Sequence, residues 1–198
     1  RGDPAELGAS APAGDADRRG GGAEHPGAAE LHEHRPGDEH ERQPRALALT
    51  ASGNQYTPIG RVLDERAFVN GVVGLHATGG STNHTLHLPA MARAAGITLD
   101  LADFHDISAA VPLMARVYPN GLADVNHFHA AGGIGYMIGQ LLDAGLLHPD
   151  VKTINGTGLD GYTAEPKLDG DRIRWEKGSR DSLNDKILRP ASDPFART

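Results

Sequence analysis

The hydrophobic positions of this chain form two helical patterns on either side of a glycine-rich turn. In residues 64–77 the apolar side chains recur at the three- and four-residue spacing of an amphipathic helix. A second pattern covers residues 85–95 and stops at Gly96, a residue type that commonly ends helices. Between them, residues 77–84 contain two glycines, which permit positive φ angles. The pattern therefore predicts two helices joined at this turn.

The rest of the chain predicts a helix-rich α/β fold. Helical spacing of apolar residues also marks residues 100–107 and residues 134–144. Residues 109–117 are predicted to form a short helix. Residues 167–175 are predicted to form a β-hairpin that turns at an Asp-Gly pair. Few strands are expected in this chain, so the α/β fold should be mostly helical.

The turn carries the side chains of the candidate site. Its residues Ser81, Thr82, Asn83 and His84 place hydroxyl, amide and imidazole groups beside the start of the second helix. Ser81 or Thr82 is predicted to cap that helix, because their oxygens accept the first helical N–H groups. Helix N-termini attract anions and hydroxyl groups, so these four residues are predicted to line a substrate pocket. The alternative is an ordinary corner between two helices, without a ligand.

Composition narrows the class of protein. The chain has 198 residues, enough for one domain with a core, and a net charge of −7. Nucleic-acid-binding surfaces are usually basic, so no nucleic-acid partner is expected. No apolar run reaches membrane-spanning length, and no secretory signal pattern begins the chain, so we expect a soluble, cytoplasmic protein without a membrane partner. The chain contains no cysteine, so its own residues build no disulfide and no thiolate-held cluster.

Residues 1–45 show no pattern of a folded segment. Leu7 and Leu31 are their only strongly apolar side chains. Such a segment buries too little apolar surface to offset its conformational entropy, which predicts a disordered, solvated tail. An alternative is a metal-binding tract, which the composition favours less because no fold holds the imidazoles together. The histidines of that tract are His25, His32, His34 and His40.

One long run resembles a known family. The sequence GLHATGGSTNHTLHLPAMARAAG, residues 74–96, resembles the dehydratase family that acts on dihydroxy acids and on 6-phosphogluconate. Three later stretches are more similar to the phosphogluconate branch: VPLMARVYPNG at residues 111–121, ADVNHF at residues 123–128 and GLDGYTAEP at residues 158–166. The resemblance covers the chain from about Leu47 to its last residue.

The resemblance implies a domain organisation. Residues 46–186 are expected to be part of the N-terminal domain of the family, and residues 187–198 a connector toward a C-terminal domain. The chain begins at Arg1 rather than at methionine, and we expect it to be a fragment. Because the resemblance begins abruptly near residue 46, translation of residues 1–45 in a shifted frame of a GC-rich gene is an alternative to a disordered tail.

The resemblance also implies a hydro-lyase. The intact enzyme would convert 6-phospho-D-gluconate to 2-dehydro-3-deoxy-6-phospho-D-gluconate in the Entner–Doudoroff pathway, as a homodimer with a 4Fe–4S cluster. The cysteines that hold this cluster in relatives have no counterpart here, so the fragment alone is expected to be inactive. From their chemistry, Ser81 and Thr82 would donate to substrate oxygens, while Asn83 would orient a hydroxyl group. His84 would face the phosphate.

Other functions stay open from the sequence. Within the family, the alternative is a dehydratase of dihydroxy acids or of other aldonic acids. From a different class, the chain could be a non-catalytic anion-binding module or an inactive remnant. A measurement of iron content would distinguish the module or the remnant from the cluster-bearing enzyme, because a protein without cysteine should retain almost no iron.

Overall fold

A computed structural model of the chain describes residues 47–170 and 172–197. Within these ranges the fold is mixed α/β, with five α-helices and two small antiparallel sheets. The helices are α1 Glu65–Thr78, α2 His84–Ala94, α3 Leu101–Ser108, α4 Val125–Ala130 and α5 Gly133–Asp143. The strands are β1 Lys152–Thr153 with β2 Gly156–Thr157, and β3 Ala164–Asp169 with β4 Arg172–Lys177.

These elements confirm the predicted helix-rich α/β fold. Short 3-10 helices lie at Ile59–Arg61 and Asp160–Thr163. The predictions for residues 1–45, a disordered tail or a shifted frame, lie outside the described residues. None of the helices in the described ranges is long and apolar enough to cross a membrane.

Helix α1 has well-defined signals at both ends. Asp64 is its N-cap, and the carboxylate of Asp64 accepts the backbone N–H of Ala67 at 3.0 Å. At the other end, Gly79 adopts the left-handed conformation at φ 59°, and the N–H of Gly80 donates to the carbonyl of Leu75 at 3.0 Å. Glycine is favoured there because it has no Cβ to clash with the following carbonyl. The helix predicted over residues 64–77 is therefore present, with each boundary one residue further along the chain.

The hydrophobic core forms between α1, α5, the extended segment at residues 111–117 and the carboxy-terminal segment at residues 187–196. Met114 and Leu188, one from each of these two segments, are fully buried. The core joins residues far apart in the sequence, which holds the carboxy-terminal part of the described chain against α1. The buried residues of this cluster are Val73, Ala77, Val111, Met114, Ala115, Ala131, Tyr136, Met137, Leu141 and Leu188.

The prediction of a helix in residues 109–117 is wrong. From Val111 onward this segment is extended, and it pairs through isolated bridges with residues distant in sequence. The bridges join Leu113 to Ala196 and Ala115 to Leu188. Proline lacks an N–H group and does not suit a helix interior, and Pro112 stands at the start of the extended stretch. Long-range pairing therefore overrides the local pattern.

Truncation of Met114 should test the importance of the extended segment to the core. Because this side chain is fully buried, Met114→Ala should lower the free energy of unfolding by about 2–5 kcal/mol. Leu122→Ala is the control, since Leu122 is fully exposed and its truncation should change stability little. Urea unfolding followed by circular dichroism measures both. Equal losses for the two variants would contradict the described core.

The N-cap of α1 predicts a pH dependence of stability. Hydrogen bonds from Arg66 lower the pKa of Asp64 below its ordinary value. The ionised form is then favoured by folding, so the stabilisation is present above the unfolded pKa of about 3.9 and is lost as the pH falls through the lower folded pKa. Thermal unfolding from pH 6 to pH 2 should show a shallower decline for Asp64→Asn than for the unmodified chain.

The control for this experiment is Asp185→Asn. Asp185 is exposed and makes no ion pair with any of the described residues. Its substitution should leave the pH profile unchanged. An Asp64→Asn profile that coincides with the unmodified profile would contradict the role assigned to the Asp64–Arg66 pair.

Candidate substrate-binding turn

The four predicted site residues lie together on one exposed turn. Residues 79–83 connect α1 to α2, and Ser81, Thr82, Asn83 and His84 are all solvent-exposed. Their polar side chains are therefore accessible to a ligand. Whether these residues bind substrate stays a prediction.

The predicted capping of α2 by Ser81 or Thr82 is wrong. The helix begins at His84, its N-cap is Asn83, and the side chain of Asn83 makes no capping hydrogen bond. The Ser81 hydroxyl instead accepts the N–H of Asn83 at 3.2 Å. The serine oxygen is thus used within the turn, before the position that would cap the helix.

The first backbone N–H groups of α2 were expected to be available to a ligand, but they already donate to carbonyl groups of the turn. The N–H of His84 donates to the carbonyl of Ser81, and the N–H of Thr85 donates to the carbonyl of Thr82, both at 3.0 Å. The backbone N–H groups of Ser81 and Thr82 make no hydrogen bond within the described part of the chain. These two groups remain for a ligand, together with the Thr82 hydroxyl and the Asn83 amide.

The imidazole of His84 is also tied to the turn. Its Nδ1 lies 3.0 Å from the carbonyl oxygen of Ser81. A carbonyl oxygen only accepts hydrogen bonds, so Nδ1 carries the proton in this contact. The neutral ring then presents Nε2 as an acceptor, and it donates to an anion only when it is protonated.

The turn at residues 79–83 packs against the segment that is extended from Val111 onward and contributes Met114 to the core. The carbonyl of Ala77 accepts the N–H groups of Met114 at 2.8 Å and Ala115 at 3.2 Å. A Cβ atom at Gly79 would collide with the side-chain amide of Asn120 and would lie 2.9 Å from Leu113 Cδ1. Glycine at position 79 thus lets the turn approach this segment closely.

Two arginines that the sequence did not single out contact one aromatic ring near this segment. The guanidinium carbon of Arg116 lies 4.6 Å from the ring centroid of Phe195, and that of Arg189 lies 4.8 Å from it. Both distances are in the range of cation–π contacts. No short-range motif could reveal this arrangement, because it combines residues from distant parts of the chain.

The two histidines at positions 127 and 129 do not form a ligand pair. Both lie on α4, where residues two apart point in different directions, and both are exposed. His127 Nδ1 contacts the Asp124 carboxylate at 2.7 Å within the capping box of the helix. The observed role of His127 is therefore at the start of α4.

The residues present do not fit an iron–sulfur cluster. Such clusters are held mainly by cysteine thiolates, and the 198 residues include no cysteine. Within the described ranges, no group of three or more histidines and carboxylates is arranged to hold a metal ion. The side chains of this chain thus do not supply the ligands of the cluster that the resemblance implies.

A cleft between α1 and α3 has the wrong charge for an acidic substrate. It encloses about 300 Å³ and has mainly apolar walls, with three carboxylates among its lining residues. Those carboxylates are Glu65, Asp103 and Asp106. Like charges repel, so this cleft suits an anionic sugar acid less well than the turn does.

The close approach at Gly79 predicts a loss of stability on substitution. Gly79→Ala should destabilise the chain by more than Gly96→Ala, because the new methyl group would also collide with Asn120. Both glycines have positive φ, but Gly96 has open space around it, so its substitution should cost only the backbone strain of about 1–2 kcal/mol. Urea unfolding gives both values, and equal losses would show that the turn does not pack as described.

Comparisons with known proteins agree with the resemblance. The family described as "Dihydroxy-acid/6-phosphogluconate dehydratase N-terminal" matches residues 22–162, a range that begins upstream of residue 46. The phosphogluconate dehydratase of Rhizobium meliloti (strain 1021) is 59% identical over 155 residues, which is 78% of this chain and 26% of that protein. The Escherichia coli (strain K12) phosphogluconate dehydratase is 53% identical over 148 residues, 75% of this chain and 24% of that protein.

A relative from the other branch is less similar. The dihydroxy-acid dehydratase of Acaryochloris marina (strain MBIC 11017) is 40% identical over 139 residues, 68% of this chain and 25% of that protein. The chain thus spans about a quarter of the length of the curated relatives that it matches. By these matches, the chain belongs to the dihydroxy-acid/6-phosphogluconate dehydratase family and matches its N-terminal domain.

Proposed function

We propose that this chain is part of a hydro-lyase that dehydrates 6-phospho-D-gluconate to 2-dehydro-3-deoxy-6-phospho-D-gluconate, in the Entner–Doudoroff pathway. The reaction removes a proton from C2 and the hydroxyl group from C3, and releases them as water. The observation that carries the proposal is the identity of 53–59% with phosphogluconate dehydratases, against 40% with the dihydroxy-acid dehydratase. Family membership alone does not separate these two substrates.

The turn between α1 and α2 is the proposed contribution of this chain to substrate binding. The Thr82 hydroxyl and the free backbone N–H groups of Ser81 and Thr82 would donate to substrate oxygens. The exposed amide of Asn83, which makes no capping bond, would orient a substrate hydroxyl group. These groups bind and position the substrate, and no proton transfer is assigned to them.

The 4Fe–4S cluster is proposed for the whole enzyme and not for this chain. Its thiolate ligands would come from residues that this chain does not contain. The residues of this chain therefore take no part in holding the cluster. The contribution proposed for them is confined to substrate binding.

A chimera tests the proposed substrate. Residues 47–197 of this chain would replace the matching segment of the Escherichia coli phosphogluconate dehydratase, and activity would be assayed without oxygen on 6-phosphogluconate and on a 2,3-dihydroxy acid. We expect dehydration of 6-phosphogluconate alone. Activity on the dihydroxy acid alone would favour the second branch of the family. A folded, iron-loaded chimera that acts on neither substrate would contradict the proposal.

Substitutions of two asparagines in the same chimera distinguish a loss of substrate binding from a loss of stability. Asn83→Ala should lower kcat/KM by about tenfold with little change in Tm, because its amide is exposed and would lose one hydrogen bond to substrate. Asn70→Ala is the matched control. The Asn70 side chain exchanges hydrogen bonds of 3.0 Å and 2.9 Å with the backbone of His148, so its loss should lower Tm instead. If Asn83→Ala lowered Tm alone, the turn would be structural.

A further inference from the structure

The strongest unassigned feature of the molecule is the pair of arginines on Phe195. Their guanidinium carbons lie 4.6 Å and 4.8 Å from the same ring centroid, so Arg116 and Arg189 share one aromatic ring. Phe195 and Arg189 are half-buried, whereas Arg116 is exposed. The ring thus provides an apolar platform with two cations beside it, open to solvent on the Arg116 side.

The positive charges of this pair are not neutralised by described residues. Neither Arg116 nor Arg189 forms an ion pair within residues 47–170 and 172–197. Arg189 donates from Nε to the backbone carbonyl of Asp185 at 3.0 Å, and its terminal nitrogens make no hydrogen bond in the described ranges. By contrast, Arg66, Arg174 and Arg180 all have carboxylate partners. Two cations that contact one ring and have no carboxylate partner in the described ranges favour an anion.

The backbone holds the pair in place. The N–H of Arg116 donates to the carbonyl of Ile187, and the N–H of Arg189 donates to the carbonyl of Met114, both at 2.8 Å. The N–H of Phe195 donates to the carbonyl of Leu113 at 2.9 Å. Three backbone hydrogen bonds between residues 113–116 and residues 187–195 therefore position the three side chains, which reduces the entropy lost when a ligand binds.

The same segment supports the candidate turn. Leu113 and Asn120, which flank Arg116 in the sequence, are the residues that a Cβ at Gly79 would meet. The arginine pair and the turn at residues 79–84 are therefore built on one continuous stretch of backbone.

We propose that Arg116 and Arg189, supported by Phe195, form an oxyanion subsite for a phosphate monoester. The planar guanidinium presents parallel N–H donors that match two oxygens of a phosphate, and such charge-assisted bonds are stronger than neutral ones. Resting on the proposed function, this subsite takes the phosphate of the sugar acid and leaves its hydroxyl groups to the turn. It assigns to the arginines the phosphate contact that residue chemistry alone suggested for His84.

Binding measurements on the full chain test this subsite. Dissociation constants for inorganic phosphate, 6-phosphogluconate and gluconate would be measured at low ionic strength by calorimetry or ³¹P line broadening. Arg116→Gln and Arg189→Gln should each weaken phosphate and 6-phosphogluconate by about tenfold, with little effect on gluconate. Arg174→Gln is the matched control, because it removes the same charge from an arginine already paired with Glu176. Arg116→Lys keeps the charge but loses the planar donors, and should weaken phosphate by an intermediate factor.

The outcomes separate the subsite from the proposed function. Absence of phosphate binding, or phosphate binding that is unchanged in both glutamine variants, would overturn the subsite. If 6-phosphogluconate bound tightly but equally in all variants, the subsite would fail while the proposed function would keep its support. If phosphate and 6-phosphogluconate bound equally well and both depended on the arginines, the subsite would stand and the sugar-acid function would lose support. If Arg174→Gln weakened phosphate binding as much as Arg116→Gln does, the effect would come from the net charge alone. That result would overturn the subsite.

Discussion

The carbonyl group of Ala77 is the point on which much of this structure depends. The last carbonyls of a helix lack partners within the helix, and this one accepts two N–H groups, from Met114 and Ala115. Ala77 is itself fully buried, so the extended segment approaches the end of α1 closely. That contact places Met114 in the core and brings Ala115 into register with Leu188. The core, the candidate turn and the arginine pair all follow from this junction.

Local sequence signals predicted the elements whose causes are local. Helix α1 has its cap, its apolar face and its terminal glycine within one short stretch. Helix α5 has an apolar pattern but no side-chain cap, and the β3–β4 hairpin joins strands that are neighbours in the sequence. Within residues 111–117, Leu113 and Ala115 pair with Ala196 and Leu188, more than 70 positions away, and this pairing holds the segment extended. A helical pattern of apolar residues cannot reveal such pairing, since the same residues serve an extended segment equally well.

The candidate site likewise combines features that local sequence signals predicted with features that depend on the fold. The two glycines located the turn correctly, and Gly79 has the positive φ that few other residues adopt. The capping of α2 was predicted wrongly, since a serine or threonine near a helix start can accept from several N–H groups, and here Ser81 accepts within the turn. Arg116 and Arg189 were missed because only the fold brings them to one ring.

The net charge of −7 does not argue against an acidic ligand. At physiological ionic strength, charges more than about 8 Å away are largely screened, so the sign of the local surface matters more than the total. The described part of the chain keeps carboxylates around the cleft between α1 and α3, whereas the turn residues 81–84 include no carboxylate. Next to the segment that supports this turn lie two guanidinium groups without carboxylate partners among the described residues. By this reasoning an anionic ligand would meet repulsion at the cleft and attraction at the arginine pair, despite the negative charge of the whole chain.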